Sequence, residues 1–223
     1  FSLQFNKIIT SGEGGVVITD QEQVWKRLVM YHDTIGGQRN NIPEEEILPG
    51  VNFRMPELLG AVAGVQLKRL DLLLEIMRRN KQVLKESMAE IAQRKGVTFR
   101  ALNDPAGDTG IALVFFTPDA ASAKRVSAAL EAEGANAWLL YTPEQVDYHV
   151  YPHWSPIMHQ RTWTPTGGPW RNHPRPIAYA PNMCPRTLDL LSRAVHLDVS
   201  PELTGENLEE LADALNKALE VAL

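Results

Sequence analysis

Lys7 is the residue whose type and neighbours could do covalent chemistry. It follows the alternating stretch Phe1-Ser2-Leu3-Gln4-Phe5-Asn6 and precedes the turn Gly12-Glu13-Gly14-Gly15. If the opening strand continues to position 7, Lys7 shares a face with Phe1, Leu3 and Phe5. A lysine held among apolar groups has its charged form disfavoured. Its amine then becomes the neutral nucleophile that Schiff-base chemistry needs. The glycines let the backbone turn sharply beside such an amine. The same residues also describe an ordinary strand-end lysine before a tight turn, and both readings stand on spacing alone.

A second concentration of reactive residue types lies between Thr142 and Pro185, a stretch rich in Pro, Trp, His and Gly with no periodicity. A loop of that length inside a compact domain is functional or disordered. Tyr148, Tyr151, Trp154, Trp163, Trp170 and Tyr179 argue for an ordered, packed excursion. His149, His153 and Arg161 sit there beside aromatic side chains, a combination suited to a substrate-covering loop. Packing at a subunit interface is the competing reading. A metal site built from His149, His153 and His159 is disfavoured, because Pro152 and Pro156 interrupt helical spacing and no cysteine or carboxylate cluster joins them. Cys184, in Met183-Cys184-Pro185, reads as a small buried hydrophobe and not a nucleophile.

These residues need elements to position them. Residues 1–19 read as two short strands around the glycine turn, with Val16-Val17-Ile18-Thr19 as the second. Asp20 suits the N-cap of a helix over 21–33 whose apolar face is Val24, Leu28 and Met30. A loop rich in Gly, Asn and Pro follows over 35–51. The longest helical pattern runs from Pro56 to Ala92, with Pro56 tolerated in a first turn. Its second half carries Arg78, Arg79, Lys81, Lys85 and Glu86, the mark of a helix that leaves a core, and its length predicts a bend or a link between domains. After Gly96, strands at 97–101, 111–116 and 137–141 alternate with a helix over 119–133. Helices over 185–194 and 204–219 close the chain. The expected division is a first domain over 1–75 and a small α+β domain over 76–223 that carries the 142–185 loop.

Composition excludes several classes. With 223 residues, 44% of them hydrophobic, the chain can bury a real core. A net charge of −5 and the absence of any Lys/Arg run argue against nucleic-acid binding. No apolar stretch is long enough to span a bilayer, so no membrane role is expected. A single cysteine rules out an internal disulfide and fits a reducing cytoplasm. The chain opens on a strand-like segment without Met or leader, from which missing upstream sequence is expected.

Two motifs carry a family resemblance. Ser2-Leu3-Gln4-Phe5-Asn6-Lys7 followed by Ile8-Ile9-Thr10-Ser11-Gly12-Glu13-Gly14-Gly15-Val16-Val17 resembles the active-site signature of the DegT/DnrJ/EryC1/StrS aminotransferases. That pattern is a serine, a cofactor lysine five residues later, and a Gly-Glu-Gly-Gly turn. About forty-five residues on, Gly50-Val51-Asn52-Phe53-Arg54-Met55-Pro56 resembles the family's Gly-x-Asn-Tyr-Arg-Met segment, and Gln66-Leu67-Lys68-Arg69-Leu70-Asp71 continues the match. The resemblance implies an α/β fold of the pyridoxal-phosphate (PLP) transferase type I, here a partial large domain plus a small α+β domain. It implies PLP as cofactor, with pyridoxamine phosphate as its aminated form.

Carried across, Lys7 is the internal-aldimine lysine and proton shuttle, and Ser2 matches the serine that hydrogen-bonds the PLP phosphate. A strict strand puts Ser2 and Lys7 on opposite faces, so the chain must bend between them if both touch one cofactor. Asn52 matches an asparagine that reaches the phosphate of the neighbouring subunit, implying a homodimer with shared sites; as a turn or cap residue it needs no such role. Arg54 fits a substrate or interface contact, or a solvated arginine at a helix start. His32, where relatives carry His-Gly, fits a substrate-side or interface position, or plain packing. In the family, the acid that pairs with the pyridine nitrogen and the side chain that stacks on the ring lie upstream of the lysine. Only six residues precede Lys7, so a chain without those groups is expected to hold PLP weakly.

The implied reaction moves an amino group from glutamate or glutamine to a keto-sugar or keto-cyclitol. Tyr151-Pro152-His153-Trp154 and Cys184-Pro185-Arg186-Thr187-Leu188-Asp189-Leu190 lean toward relatives acting on inosose-like cyclitols. Two alternatives remain in view. Some relatives are pyridoxamine-phosphate-dependent dehydratases that replace the lysine with histidine. The other alternative is a catalytically inactive fragment or dimerisation module.

Overall fold

The alternation at the start of the chain does not become a strand. In the computed structural model, which describes residues 1–144 and 146–223, only isolated bridges join Ser2 to Gly15 and Gln4 to Gly12. Gly12 and Gly14 have φ of +90° and +139°, which carry the returning chain out of any regular ladder. Val17 and Ile18, expected in a second strand, are exposed. Leu3 is the buried pivot of this loop: its N–H donates to the Gly14 carbonyl (2.9 Å), and its carbonyl accepts from Ser11 N–H (3.1 Å) and Thr10 Oγ1 (2.9 Å).

The chain divides into two units, Phe1–Leu73 and Leu74–Leu223. In the first, α1 (Glu22–His32) buries Met30. Its N-cap is Gln21 and not Asp20, and the Gln21 N–H donates to Thr19 Oγ1 at 3.1 Å. A four-residue turn of helix, α2 (Gly36–Arg39), and a 3₁₀ turn at Glu44–Glu46 interrupt the expected 35–51 loop. Lys26 Nζ, 2.8 Å from Glu46 Oε2, ties that turn to α1. Beyond it, residues 51–53 run beside the end of α1: Val51 N–H donates to the Tyr31 carbonyl (2.9 Å) and Phe53 N–H to the His32 carbonyl (2.8 Å). Gly50 permits this approach, since a Cβ there would run into the Met30 carbonyl oxygen.

The long helix expected over 56–92 is three helices: α3 (Glu57–Leu67), α4 (Leu70–Ser87) and α5 (Ala89–Lys95). Arg69 N–H folds back on the Gln66 carbonyl at 3.0 Å between the first two. At the second break Ser87 Oγ donates to the Leu84 carbonyl at 2.8 Å, competing with the backbone ladder.

The second unit is built on a four-stranded antiparallel sheet in the order β1-β2-β4-β3, from Thr98–Phe99, Ala112–Phe116, Ala194–Asp198 and Ala137–Leu139. The inner strand β4 is a correction, because 185–194 was expected as helix and nothing beyond it as strand. Helix α8 spans Pro185–Ser192 and β4 begins at Ala194. Leu113, Phe115, Val195 and Leu197 point to one face and meet Leu84, Met88 and Ile91 together with α6 (Ala120–Ala132) and α9 (Gly205–Ala222). Leu208, Ala212, Leu215 and Leu219 form the buried stripe of α9 at helical spacing. Asp119 caps α6 by accepting from Ser122 N–H at 2.7 Å, and Thr204 Oγ1 caps α9 through Asn207 N–H at 3.4 Å. The 142–185 stretch contains short turns at Tyr151–His153, Ser155–Met158 (α7) and Trp170–Asn172.

Candidate functional site

Lys7 lies at the end of a turn in which its N–H donates to the Gln4 carbonyl at 3.0 Å. The chain therefore bends between Ser2 and Lys7, as two contacts with one ligand would require. The apolar setting expected for Lys7 is absent: Lys7 is exposed, and Phe1 and Phe5 are 80% and 65% exposed. No carboxylate pairs with its amine among the described residues. Ser2 is exposed too, its Oγ accepting from Gln4 N–H at 3.3 Å.

The two sequence motifs meet at Gly14. A Cβ added there would lie 2.9 Å from Met55 Cε and 3.3 Å from Ser11 Oγ. The absence of a side chain at Gly14 lets the glycine turn and the 52–55 segment pack in one place.

Asp33 organises the other side of this unit. Its carboxylate is buried and accepts from Ile35 N–H (3.2 Å), Arg39 Nη1 (2.6 Å) and Arg54 Nη1 (3.3 Å). The Ile35 N–H first, then the Arg39 and Arg54 guanidinium charges, hold its carboxyl below the ordinary value of 3.8. The sequence reading did not select Asp33, and its only signal was two arginines 6 and 21 residues away. Arg54 is thus held at a defined position. Asn52 is exposed, and its Oδ1 accepts from Arg54 N–H at 3.3 Å, a turn that fixes its amide. His32 is exposed, with Nδ1 3.1 Å from the Val29 carbonyl.

In the second unit the loop residues separate into ordered and exposed sets. His149 is 96% exposed at its side chain, its Nδ1 lying 2.8 Å from Asp147 Oδ1. Backbone and ring hydrogen bonds from His149 lower the Asp147 carboxyl. His153 is half-buried, its ring centroid 6.2 Å from that of Tyr141, and its Nε2 is buried without a hydrogen-bond partner among the described residues. Arg161 is exposed. The expected packing of the aromatics holds in part: Tyr151 OH donates to the Pro181 carbonyl (2.7 Å) and Trp170 Nε1 to Tyr179 OH (3.0 Å), whereas Tyr148 is 77% exposed and Trp163 fully so. Cys184 is exposed and not buried, a correction to its reading as a core residue. Its N–H is bound by Tyr151 OH at 3.1 Å, which draws the segment to the loop surface.

The lysine at a bend and the glycine turn packed on the second motif lie within a segment that a known family matches. The model of the DegT/DnrJ/EryC1/StrS aminotransferase family matches residues 1–162, and the chain belongs to that family. It is similar to the GDP-4-keto-6-deoxy-D-mannose 3-dehydratase of Yersinia pseudotuberculosis, 37% identical over 101 residues, 39% of this chain and 26% of that protein. It is also similar to the L-glutamine:2-deoxy-scyllo-inosose aminotransferase of Streptoalloteichus tenebrarius, 34% identical over 106 residues, 44% of this chain and 25% of that protein. An aminotransferase structure from Psychrobacter cryohalolentis superposes with a TM-score of 0.71 at 18% identity, covering 99% of this chain and 55% of that one. The chain thus spans about half the length of that structure, and its matched segments about a quarter of each relative. No helix among the described residues is long and apolar enough to cross a membrane.

Proposed function

We propose that the chain is the lysine-bearing part of a PLP-dependent aminotransferase that transfers an amino group from glutamate or glutamine to a keto-sugar or keto-cyclitol. The observation that carries the reading is the match of residues 1–162 to the family, with Lys7 inside it at a bend and its amine without a carboxylate partner among the described residues. The donor set fits PLP, with a primary amine for the aldehyde and the Ser2 hydroxyl and Asn52 carboxamide for phosphate oxygens. Bound PLP supplies the electron sink that stabilises negative charge on a substrate carbon.

The chain's own residues do the rest. Lys7 Nζ would hold the cofactor, and the same amine would take up the α-proton of the amino donor. Ser2 and Asn52 orient the phosphate, Asn52 serving the site of a second copy in a homodimer. Arg54, fixed by Asp33, presents a guanidinium to an anionic group of the substrate. His32, whose carbonyl accepts from Phe53 N–H at 2.8 Å, is a proposed substrate-side residue beside it, and His149, His153 and Arg161 are proposed substrate-binding residues of the 142–185 loop. The single cysteine fits a cytoplasmic enzyme.

The relative named as a 3-dehydratase favours a second reading, a pyridoxamine-phosphate-dependent dehydratase. Lys7 argues against it, since such relatives are expected to carry histidine there. Incubating the protein with PLP, amine-labelled glutamine or glutamate and 2-deoxy-scyllo-inosose or a 4-keto-6-deoxy nucleotide sugar separates the two. Label in the product supports transamination, and loss of water without label supports the dehydratase. Neither product leaves the fragment or dimerisation module as the better reading.

A further inference from the structure

A cavity of about 510 Å³ opens in the second unit between α4 and β1 with the loop that follows it. None of the residues expected to carry transamination chemistry lines it. Arg78, Lys81 and Lys85 of α4 face it from positions i, i+3 and i+7, hence from one side of the helix, and Arg100 joins them. Asp108 is the one carboxylate in the lining, so four cations face one anion in a chain whose net charge is −5.

Asp108 is already engaged. Its Oδ2 lies 2.6 Å from Lys81 Nζ and its Oδ1 3.8 Å from Arg100 Nη2, while its carbonyl accepts from Arg78 Nε at 2.5 Å. The Lys81 and Asp108 side chains are only 11% and 15% exposed, so this pair is a fixed part of the wall. The Lys85 ammonium has no carboxylate partner among the described residues and stands 5.2 Å from the Phe99 ring centroid. The Arg78 Nη groups are likewise uncommitted among the described residues. Glu86, the acidic neighbour of Lys85, is bound to Gln82 at 2.6 Å and does not line the cavity. Like charges along one helix face repel, and an anion seated among them removes that repulsion. Phe99, Leu102 and Leu113 give the same cavity an apolar floor.

We infer that this cavity binds a small phosphate-bearing molecule, with its phosphates on Arg78 and Lys85 and its body on Phe99 and Leu102. Several separated cationic heads match a group with several charged oxygens better than a single carboxylate.

The test is a calorimetric titration of the whole chain with ADP, and with adenosine as the phosphate-free counterpart. ADP is expected to bind one-to-one, to weaken as salt rises, and to shift the Leu102 and Leu113 methyl resonances; adenosine is expected not to bind. Arg78→Gln and Lys85→Met leave the Lys81–Asp108 pair in place, and each is expected to weaken ADP by roughly tenfold, the loss of one charge-assisted contact. Circular dichroism and the urea midpoint of each variant separate a folding loss from a binding loss. No saturable ADP binding at millimolar concentration overturns the inference. Equal binding of adenosine, or ADP binding unchanged in both variants while Leu102 stays unshifted, overturns it as well.

Discussion

Replacing Gly50 with alanine tests whether the 50–54 segment is held against α1 as closely as the structure places it. The added Cβ would collide with the Met30 carbonyl oxygen, and would lie 2.9 Å from the Met30 carbonyl carbon and 3.1 Å from the Tyr31 oxygen. All three are backbone atoms, so no rotamer change relieves the overlap. The segment has to move, stretching the Val51–Tyr31 and Phe53–His32 hydrogen bonds of 2.9 and 2.8 Å. Overpacking of this kind costs about 1–3 kcal/mol, and each weakened hydrogen bond adds about 1 kcal/mol. A destabilisation of roughly 3–5 kcal/mol follows from the overpacking and the two bonds together. Trp25 is the only tryptophan in residues 1–73, so urea unfolding followed by fluorescence, with phenylalanine replacing the other tryptophans, reports on this unit. Gly64→Ala is the control: a Cβ there meets nothing within 4 Å, and alanine inside a helix is favoured over glycine by up to about 1 kcal/mol. The reasoning fails if Gly50→Ala unfolds at the same urea concentration as Gly64→Ala or the unchanged protein.

Further expectations concern the core, a cap and a charge hub. Leu215, fully buried against the sheet, is expected to cost roughly 2–5 kcal/mol as alanine, read as a lower urea midpoint of the second unit. Thr204→Ala removes the side-chain cap of α9 and is expected to cost about 1 kcal/mol in the same assay. The folded-state value of Asp33 is lowered, so its contribution is present above the ordinary 3.8 and lost as pH falls through the lowered value. Asp33→Asn is therefore expected to abolish that part of the acid transition seen at Trp25, and an unchanged acid profile would refute the hub.

The helices of the second unit were legible because α6 and α9 carry both a periodic apolar stripe and a side-chain cap. Strand β4 was not, although Val195 and Leu197 alternate with His196 and Asp198. Five residues directly after a helix give too short a period-two signal to separate from a fraying helix end. Length alone predicted a bend in the 56–92 pattern, but not its positions at 68–69 and 88: no Gly or Pro marks them, and the Arg69 and Ser87 hydrogen bonds that make them exist only in three dimensions. At the site, the motifs located Lys7, Ser2, Asn52 and Arg54 in sequence, while the turn at Gln4–Lys7 put Lys7 in solvent where strand alternation predicted an apolar face. Asp33 escaped because its partners are distant in sequence and its burial depends on the packing of α1 against the following loop.

The measurement that bears most directly on the proposed function is an absorbance titration with PLP followed by borohydride reduction and peptide mapping, on the unchanged protein and on Lys7→Ala. The account predicts a long-wavelength band and a reduced adduct on the peptide containing Lys7, both lost in Lys7→Ala. An adduct spread over other lysines, or one that survives Lys7→Ala, would contradict it.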